Sequence, residues 1–351
     1  PIIIIFITLF SIYLLKLIFF KPFSFNHFLA RQFIVNTLDS PESLTYIGLF
    51  EKYGYRSYNG KLSDYSLEKD IKDLKKLKKE YKILNSYQDE DLSFDELTSK
   101  KIAQFQMKNE IEQRTKYPYH TYPLIQMNGL HTQLLEFMTD IHPIKDEKDA
   151  EYYLSRLEKI PEVFSQILEK MEKRKELKIF PPIFMVERVI GQIENIIDIP
   201  IKENPLITIY EEKLTLAGIN PKTIKLSKEK AEKIITEKVL PSYQLLLMHL
   251  HEIRPKANIN HGVWSLPDGE NYYSLRLRIM TTSNYSADEI HNIGLSEVER
   301  ITNEIIDILE TEGYENIDDV GKVLIELNES ERFLFEDNQS SRKEIIDIYN
   351  N

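Results

Sequence analysis

A chain of 351 residues with 42% hydrophobic content can bury a large core, as one large or two ordinary domains, which excludes wholesale disorder. Its formal net charge of −11 argues against a general nucleic-acid partner, because phosphate binding needs a concentrated basic surface. The absence of cysteine excludes disulfides, thiolate zinc sites, cysteine nucleophiles and a lipidated cysteine, so any metal would need His, Asp or Glu ligands.

Residues Ile2 to Leu15 form an apolar run broken only by Thr8 and Ser11; Lys16 interrupts it, and Leu17 to Phe20 resume it before Lys21-Pro22. A bilayer span needs about 20 residues and a signal core about 7 to 15, so segment 1–21 fits a signal peptide or a short anchor. No small-residue cleavage site follows, and Phe23, Phe25, Phe28 and Phe33 favour an uncleaved anchor over a cleaved signal or a buried core helix. The expectation is a body over residues 25–351 that is membrane-anchored or exported in the cell envelope. Lysines at both ends of the run leave its orientation open. The start at Pro1, with neither an initiator Met nor a basic leader, reads as a truncated front.

Beyond this segment the pattern is helical. Ile71, Leu74, Leu77, Tyr81 and Leu84 recur at spacings of three and four, the period of a helix with one apolar stripe, and the intervening lysines, mixed with Asp and Glu, make a solvated face. Ser93 with Glu96 and Ser286 with Glu289 form capping boxes, each predicting a helix that begins one residue later. Pro161, Pro181-Pro182, Pro200, Pro205 and Pro241 divide the middle into segments of ordinary helix length. Tyr153, Leu157 and Ile160 share one side of a helix predicted to end at Pro161. Gly191 and the Leu216–Asn220 stretch are the expected internal breaks. No repeat, low-complexity tract or long linker separates independent domains.

Strand is expected in one place. Between Asn258 and Thr282, the Pro267-Asp268-Gly269 turn signal precedes alternating Leu275, Leu277 and Ile279, which predicts a short β-hairpin or strand pair near 258–282, although the stretch from Tyr272 opens a helix equally well. The predicted fold class is therefore mainly α, a multi-helix array with that one strand element.

The eight histidines include no pair in an H-E-x-x-H arrangement, which would set two imidazoles on one helix face around zinc. His249 and His251 are two apart, so on a helix they point about 200° from each other, one toward the core and one toward solvent. Glu289 is engaged as a capping carboxylate, and His291 sits beside it in the same first turn. There is no nucleophile elbow, phosphate loop or dinucleotide fingerprint. Three Asn-x-Ser sites, at Asn284, Asn328 and Asn338, would matter only in a glycosylating host.

Four segments in order carry a family resemblance: Pro41-Glu-Ser-Leu-Thr-Tyr-Ile-Gly48; Tyr152-Tyr-Leu-Ser-Arg-Leu-Glu-Lys-Ile-Pro161; Gly262-Val-Trp-Ser-Leu-Pro-Asp-Gly-Glu-Asn-Tyr-Tyr273; and Asp288-Glu-Ile-His-Asn-Ile-Gly-Leu295. Together they resemble the bacterial family catalogued as domain of unknown function 885, whose members look like zinc peptidases of the gluzincin type. That resemblance implies a helical zinc hydrolase acting on peptides, whose H-E-x-x-G-H motif lies downstream of anything in this chain. Zinc is expected for the complete protein, with no catalytic or metal-binding residue in these 351. The resemblance leaves the chain as a cleft wall, with Trp264, Asp268, Tyr272, Tyr273 and His291 as the residues expected to touch substrate. The alternative is a non-catalytic, membrane-tethered helical module. A helix array cut midway would expose apolar faces and tend to aggregate.

Overall fold

A computed structural model describes residues 13, 15–18, 20–259, 262–315, 317–331 and 334–350. Most of the N-terminal apolar run lies outside the described residues, as does His261. No helix among the described residues is long and apolar enough to cross a membrane.

Fourteen helices make up the described structure: α1 (Phe25–Leu38), α2 (Pro41–Ile47), α3 (Leu67–Leu84), α4 (Phe94–Lys116), α5 (Leu130–Glu136), α6 (Glu147–Glu176), α7 (Ile183–Asp198), α8 (Pro205–Leu216), α9 (Pro221–Ile234), α10 (Leu240–Ile253), α11 (Gly269–Thr281), α12 (Ala287–Thr311), α13 (Val320–Asn328) and α14 (Gln339–Asn350). They fall into two compact units, one through Leu275 and one from Arg276 onward. Both capping boxes form as expected, opening α4 after Ser93 and α12 after Ser286. Asn204 and Asn220 cap α8 and α9, with Pro205 and Pro221 as first residues, where a missing N–H costs nothing.

The hairpin expected near 258–282 does not form. Among the described residues there is no strand, only an isolated parallel bridge between Pro182 and Asn258. The reason lies in the burial pattern: Tyr272 and Leu275, three apart, are the buried positions, so the segment obeys the helical period. Pro267-Asp268-Gly269 turns the chain into that helix, with Asp268 at φ 52° and its carbonyl accepting the Tyr272 N–H at 3.0 Å.

Three other expected breaks also fail. α6 runs through Pro161 for 30 residues, and Gly191 lies inside α7. An internal proline costs about 3 kcal/mol. Val163, Phe164, Ile167 and Met171 beyond it are all buried, and each fully buried large apolar side chain contributes about 1.5–3 kcal/mol, so continuation wins. Pro241 is likewise absorbed, because α9 passes through a π turn, Ile235–Val239, straight into α10. The Leu216–Asn220 break is real, with Gly218 at φ 69°.

The main core of the first unit lies among α6 to α10, where Leu157, Phe164, Ile193, Ile207, Tyr210 and Leu246 are sealed from solvent. A smaller cluster of Phe25, Phe28, Leu84 and Tyr87 joins α1, α3 and the turn before α4. In the second unit Ile293, Leu295, Val298 and Ile308 of α12 stand exposed.

Arg156 of α6 is 0% exposed and ties the N-terminal segment to this core. Its Nε donates to Lys61 O at 2.8 Å and its Nη1 to His142 Nδ1 at 2.8 Å. Its Nη2 donates to Thr45 Oγ1 at 2.6 Å, Tyr58 O at 3.2 Å and Pro41 O at 3.4 Å. Two of the segments that carried the family resemblance are thus latched to one another. Next to this node, Asp149 accepts from Arg56 Nη1 at 2.8 Å and the Lys145 N–H at 3.0 Å, and Tyr153 stacks on Tyr210 at 4.3 Å.

Replacing Arg156 by Lys keeps the charge but strands several buried carbonyls, so stability measured by urea unfolding should fall by about 3 kcal/mol or more. A second prediction concerns acid. A guanidinium can only donate, so His142 must present a bare lone pair at Nδ1 and stay neutral. Burial, reinforced by Arg156, holds its pKa well below 6.5. The unfolded chain therefore takes up the proton first: the stability is intact above about 6.5 and is lost as the pH drops below it. Urea midpoints should decline from about pH 6.5 downward, and His142→Gln should flatten that decline while lowering the plateau.

Candidate functional site

The residue before a proline avoids the helical region, so α4 stops at Tyr117-Pro118 and the chain continues as the loop Tyr117-Pro-Tyr-His-Thr-Tyr-Pro123. One face of this loop holds the Leu266–Gly269 turn. Tyr117 Oη donates to Asp268 Oδ2 at 2.8 Å, and Asn271 Nδ2 donates to Asp268 Oδ1 at 2.7 Å. The Asn271 and Tyr117 hydrogen bonds hold the Asp268 carboxyl below its usual range. Burial, then Asp268, pushes the Tyr117 phenol up to about 12. His120 Nε2 lies 2.7 Å from Pro267 O; a carbonyl only accepts, so Nε2 carries the proton. The rings of Tyr117, His120 and Tyr272 pack against one another with centroids 4.8–5.2 Å apart.

The expected substrate-contact residues are distributed unevenly. Asp268 and Tyr272 meet Tyr117 and His120, which sequence reasoning did not single out, and Tyr272 is buried. Trp264 is 74% exposed, with its indole close enough to Gly262 that a Cβ there would lie 2.1 Å from Cζ2. Tyr273 is exposed on α11, and His291 is exposed on α12 in the second unit.

The other face of the loop opens on a cleft of about 530 Å³ between α3, α6 and residues 118–123. Ile71 and Leu74 of α3, Tyr65 and Tyr119 supply apolar wall, and Arg114, Lys170 and Arg174 supply positive charge. Arg174 is only 8% exposed. Its Nε and Nη2 donate to Thr121 O at 2.9 and 2.7 Å, its Nη1 to Lys170 O at 2.8 Å, and the guanidinium lies 5.5 Å from the Tyr119 ring centre. Among the described residues no carboxylate lies within ion-pair distance of it. Burial lowers its pKa. Lys170 Nζ pairs with Asp70 at 2.5 Å at the rim.

The one grouping of possible metal ligands among the described residues is Glu172, His249 and Glu252. His249 is buried and His251 exposed, the split that a spacing of two demands. His249 Nδ1 bonds Glu172 Oε1 at 2.7 Å, and the Lys175 ammonium bonds Glu172 at 2.7 Å and Glu252 at 2.8 Å. A cation already bridges the two carboxylates. With a single imidazole, the set does not fit the two-His, one-Glu zinc cage of the gluzincin type.

The family model described as "Bacterial protein of unknown function (DUF885)" matches residues 41–351. The chain belongs to the DUF885 family. Solved structures that share its fold include the following two. One is described as a "putative lipoprotein" from Colwellia psychrerythraea, with TM-score 0.77 and 22% identity over 90% of this chain and 55% of that one. The other is a "putative lipoprotein of unknown function" from Shewanella oneidensis, with TM-score 0.58 and 14% identity over 84% of this chain and 49% of that one. This DUF885 chain spans about half the length of these neighbours. No curated protein matches it.

Gly269 is the residue most constrained in the turn, because a Cβ there would fall 2.2 Å from Val263 O. Gly269→Ala should cost about 1–3 kcal/mol in thermal unfolding. It should also bring the Tyr117 phenol down toward 10, read by ultraviolet titration against Tyr117→Phe.

Proposed function

We propose that this DUF885 chain forms the substrate-binding wall of a zinc-dependent peptidase of the cell envelope, with no zinc ligand set of its own among the described residues. The observation that carries the reading is the cleft beside the 117–123 loop. Its volume of about 530 Å³ lies within the range of about 300–1,000 Å³ typical of small-ligand sites. It combines apolar and tyrosine walls with three cationic side chains in a chain whose net charge is −11. Such a surface suits a short peptide, whose side chains take the apolar wall and whose acidic groups take the cations. Family membership supports the hydrolase class through the resemblance described above. The description of both structural neighbours as "putative" lipoproteins supports an envelope location; the apolar run at the start of this cysteine-free chain is the segment we assign to attachment.

The zinc would be held by residues outside the cluster of Glu172, His249 and Glu252, since that set has a single imidazole and Lys175 already bridges its two carboxylates. When bound, zinc would supply Lewis-acid activation of water. The contribution of this chain is to bind and orient the peptide. The same cleft, which needs no metal to bind a peptide, also supports a second reading, a non-catalytic helical binding module of the envelope.

Incubated with zinc and a mixed library of short peptides, the chain is expected to retain a subset of them on size exclusion and to cleave none above background. Cleavage abolished by a chelator would place the metal ligands within this chain and overturn the assignment. A sequence continuing the chain that restores zinc binding and cleavage would separate the peptidase from the binding module.

A further inference from the structure

We propose that the cleft between α3, α6 and the 117–123 loop receives the free C-terminal carboxylate of a peptide ending in an apolar residue, with Arg174 as the carboxylate's main partner. The choice of a peptide, rather than another apolar acid, rests on the reading given above; the demand for a carboxylate does not.

The demand comes from the unusual state of Arg174. A nearly buried guanidinium normally meets a carboxylate, because taking a cation out of water is otherwise costly. Arg174 instead donates to two neutral carbonyls, those of Thr121 and Lys170. Three of its five N–H donors make those bonds, which leaves one on each terminal nitrogen, the pair that a carboxylate engages. Arg156 offers a contrast within the same helix. It too lacks a carboxylate partner, but it is sealed and its acceptors come from three other segments, whereas Arg174 forms part of the wall of an open cleft.

Charge and shape agree. Arg114, which pairs with Glu110 at 2.7 Å on its own helix, and Lys170 line the same cleft, whose single acidic wall residue is Asp70. Lys170 holds Asp70 across a 2.5 Å pair in which the Asp70 side chain is 54% exposed, so an incoming anion can compete for that ammonium. The apolar requirement comes from Ile71, an isoleucine left 70% exposed on α3, with Leu74 one turn further along the same wall. A terminal residue carries both groups on one Cα, the carboxylate for Arg174 and an apolar side chain for Ile71 and Leu74. An internal Asp or Glu does not offer that pairing.

The test uses the 351-residue chain and fluorescence anisotropy of a labelled Ala-Ala-Phe tripeptide as free acid and as C-terminal amide. The acid should bind roughly tenfold or more tightly, and the preference should shrink as salt is raised. Arg174→Gln should abolish the preference. Should that variant unfold by circular dichroism, Lys170→Gln and the surface change Ile71→Ser carry the test: the first should reduce the acid preference severalfold, and the second should weaken the Phe-ended acid relative to a Gly-ended one. Equal binding of acid and amide would overturn the carboxylate site while leaving the peptide reading standing. Failure of both to bind would overturn both. Stronger binding of dodecanoate than of the tripeptide acid would overturn the peptide assignment in favour of a lipid acid.

Discussion

A guanidinium withdrawn entirely from water has to find acceptors for its N–H groups, and Arg156 engages all three of its nitrogens by collecting carbonyls from Pro41, Tyr58 and Lys61 together with Thr45 Oγ1 and His142 Nδ1. Those carbonyls lie about a hundred residues away in sequence, so the bonds exist only when α2, the 57–60 turn and α6 are docked together. Thr45 relays the arrangement, accepting from Arg156 and donating to Asn59 at 2.7 Å. His142 completes it from the turn before α6. The requirement is one of satisfaction rather than attraction, because no partner in the set carries a negative charge. Removing any member leaves a polar group dry, which makes this node more sensitive to substitution than the apolar core around it.

From this anchored helix the candidate site follows outward. α6 presents Lys170 and Arg174 to the loop 117–123, and Arg174 holds that loop by the Thr121 carbonyl. The loop then serves two surfaces at once. Tyr117 and His120 grip the 266–269 turn, while Tyr119 and Tyr122 face the cleft and its neighbourhood. Prolines at 118 and 123 prevent the segment from collapsing into helix, so the tyrosines between them are held out on irregular backbone.

What could be read beforehand was local. The capping boxes at Ser93 and Ser286, the proline-led starts of α8 and α9, and the opposite fates of His249 and His251 depend on residues within one helical turn, and the sequence carries that information directly. The hairpin was misread because Leu275, Leu277 and Ile279 satisfy alternation while Tyr272 and Leu275 satisfy a period of three, and only the neighbours that bury them decide between the two. Pro161 was misread as a terminator because its cost is local and the compensating burial of Phe164 and Ile167 is not. Asp268 meets Tyr117 across 151 positions, and His120 meets Pro267 across 147. The repeated tyrosine and proline of 117–123 hinted at a built loop, but nothing nearby named its partner. Arg174 sits between Lys173 and Lys175 in an ordinary basic helix end, so its solitary burial was invisible in the pattern.

The unbroken run of α6 through Pro161 sets a register between its two arginines. Arg156 and Arg174 are eighteen residues apart, about five whole turns, so they project from nearly the same side of the rod roughly 27 Å apart. Inserting or deleting one residue between them would rotate one guanidinium by about 100° relative to the other. Length in this stretch is therefore fixed far more tightly than composition: the helix works as a ruler, and its spacing is the property that the two ends hold in common.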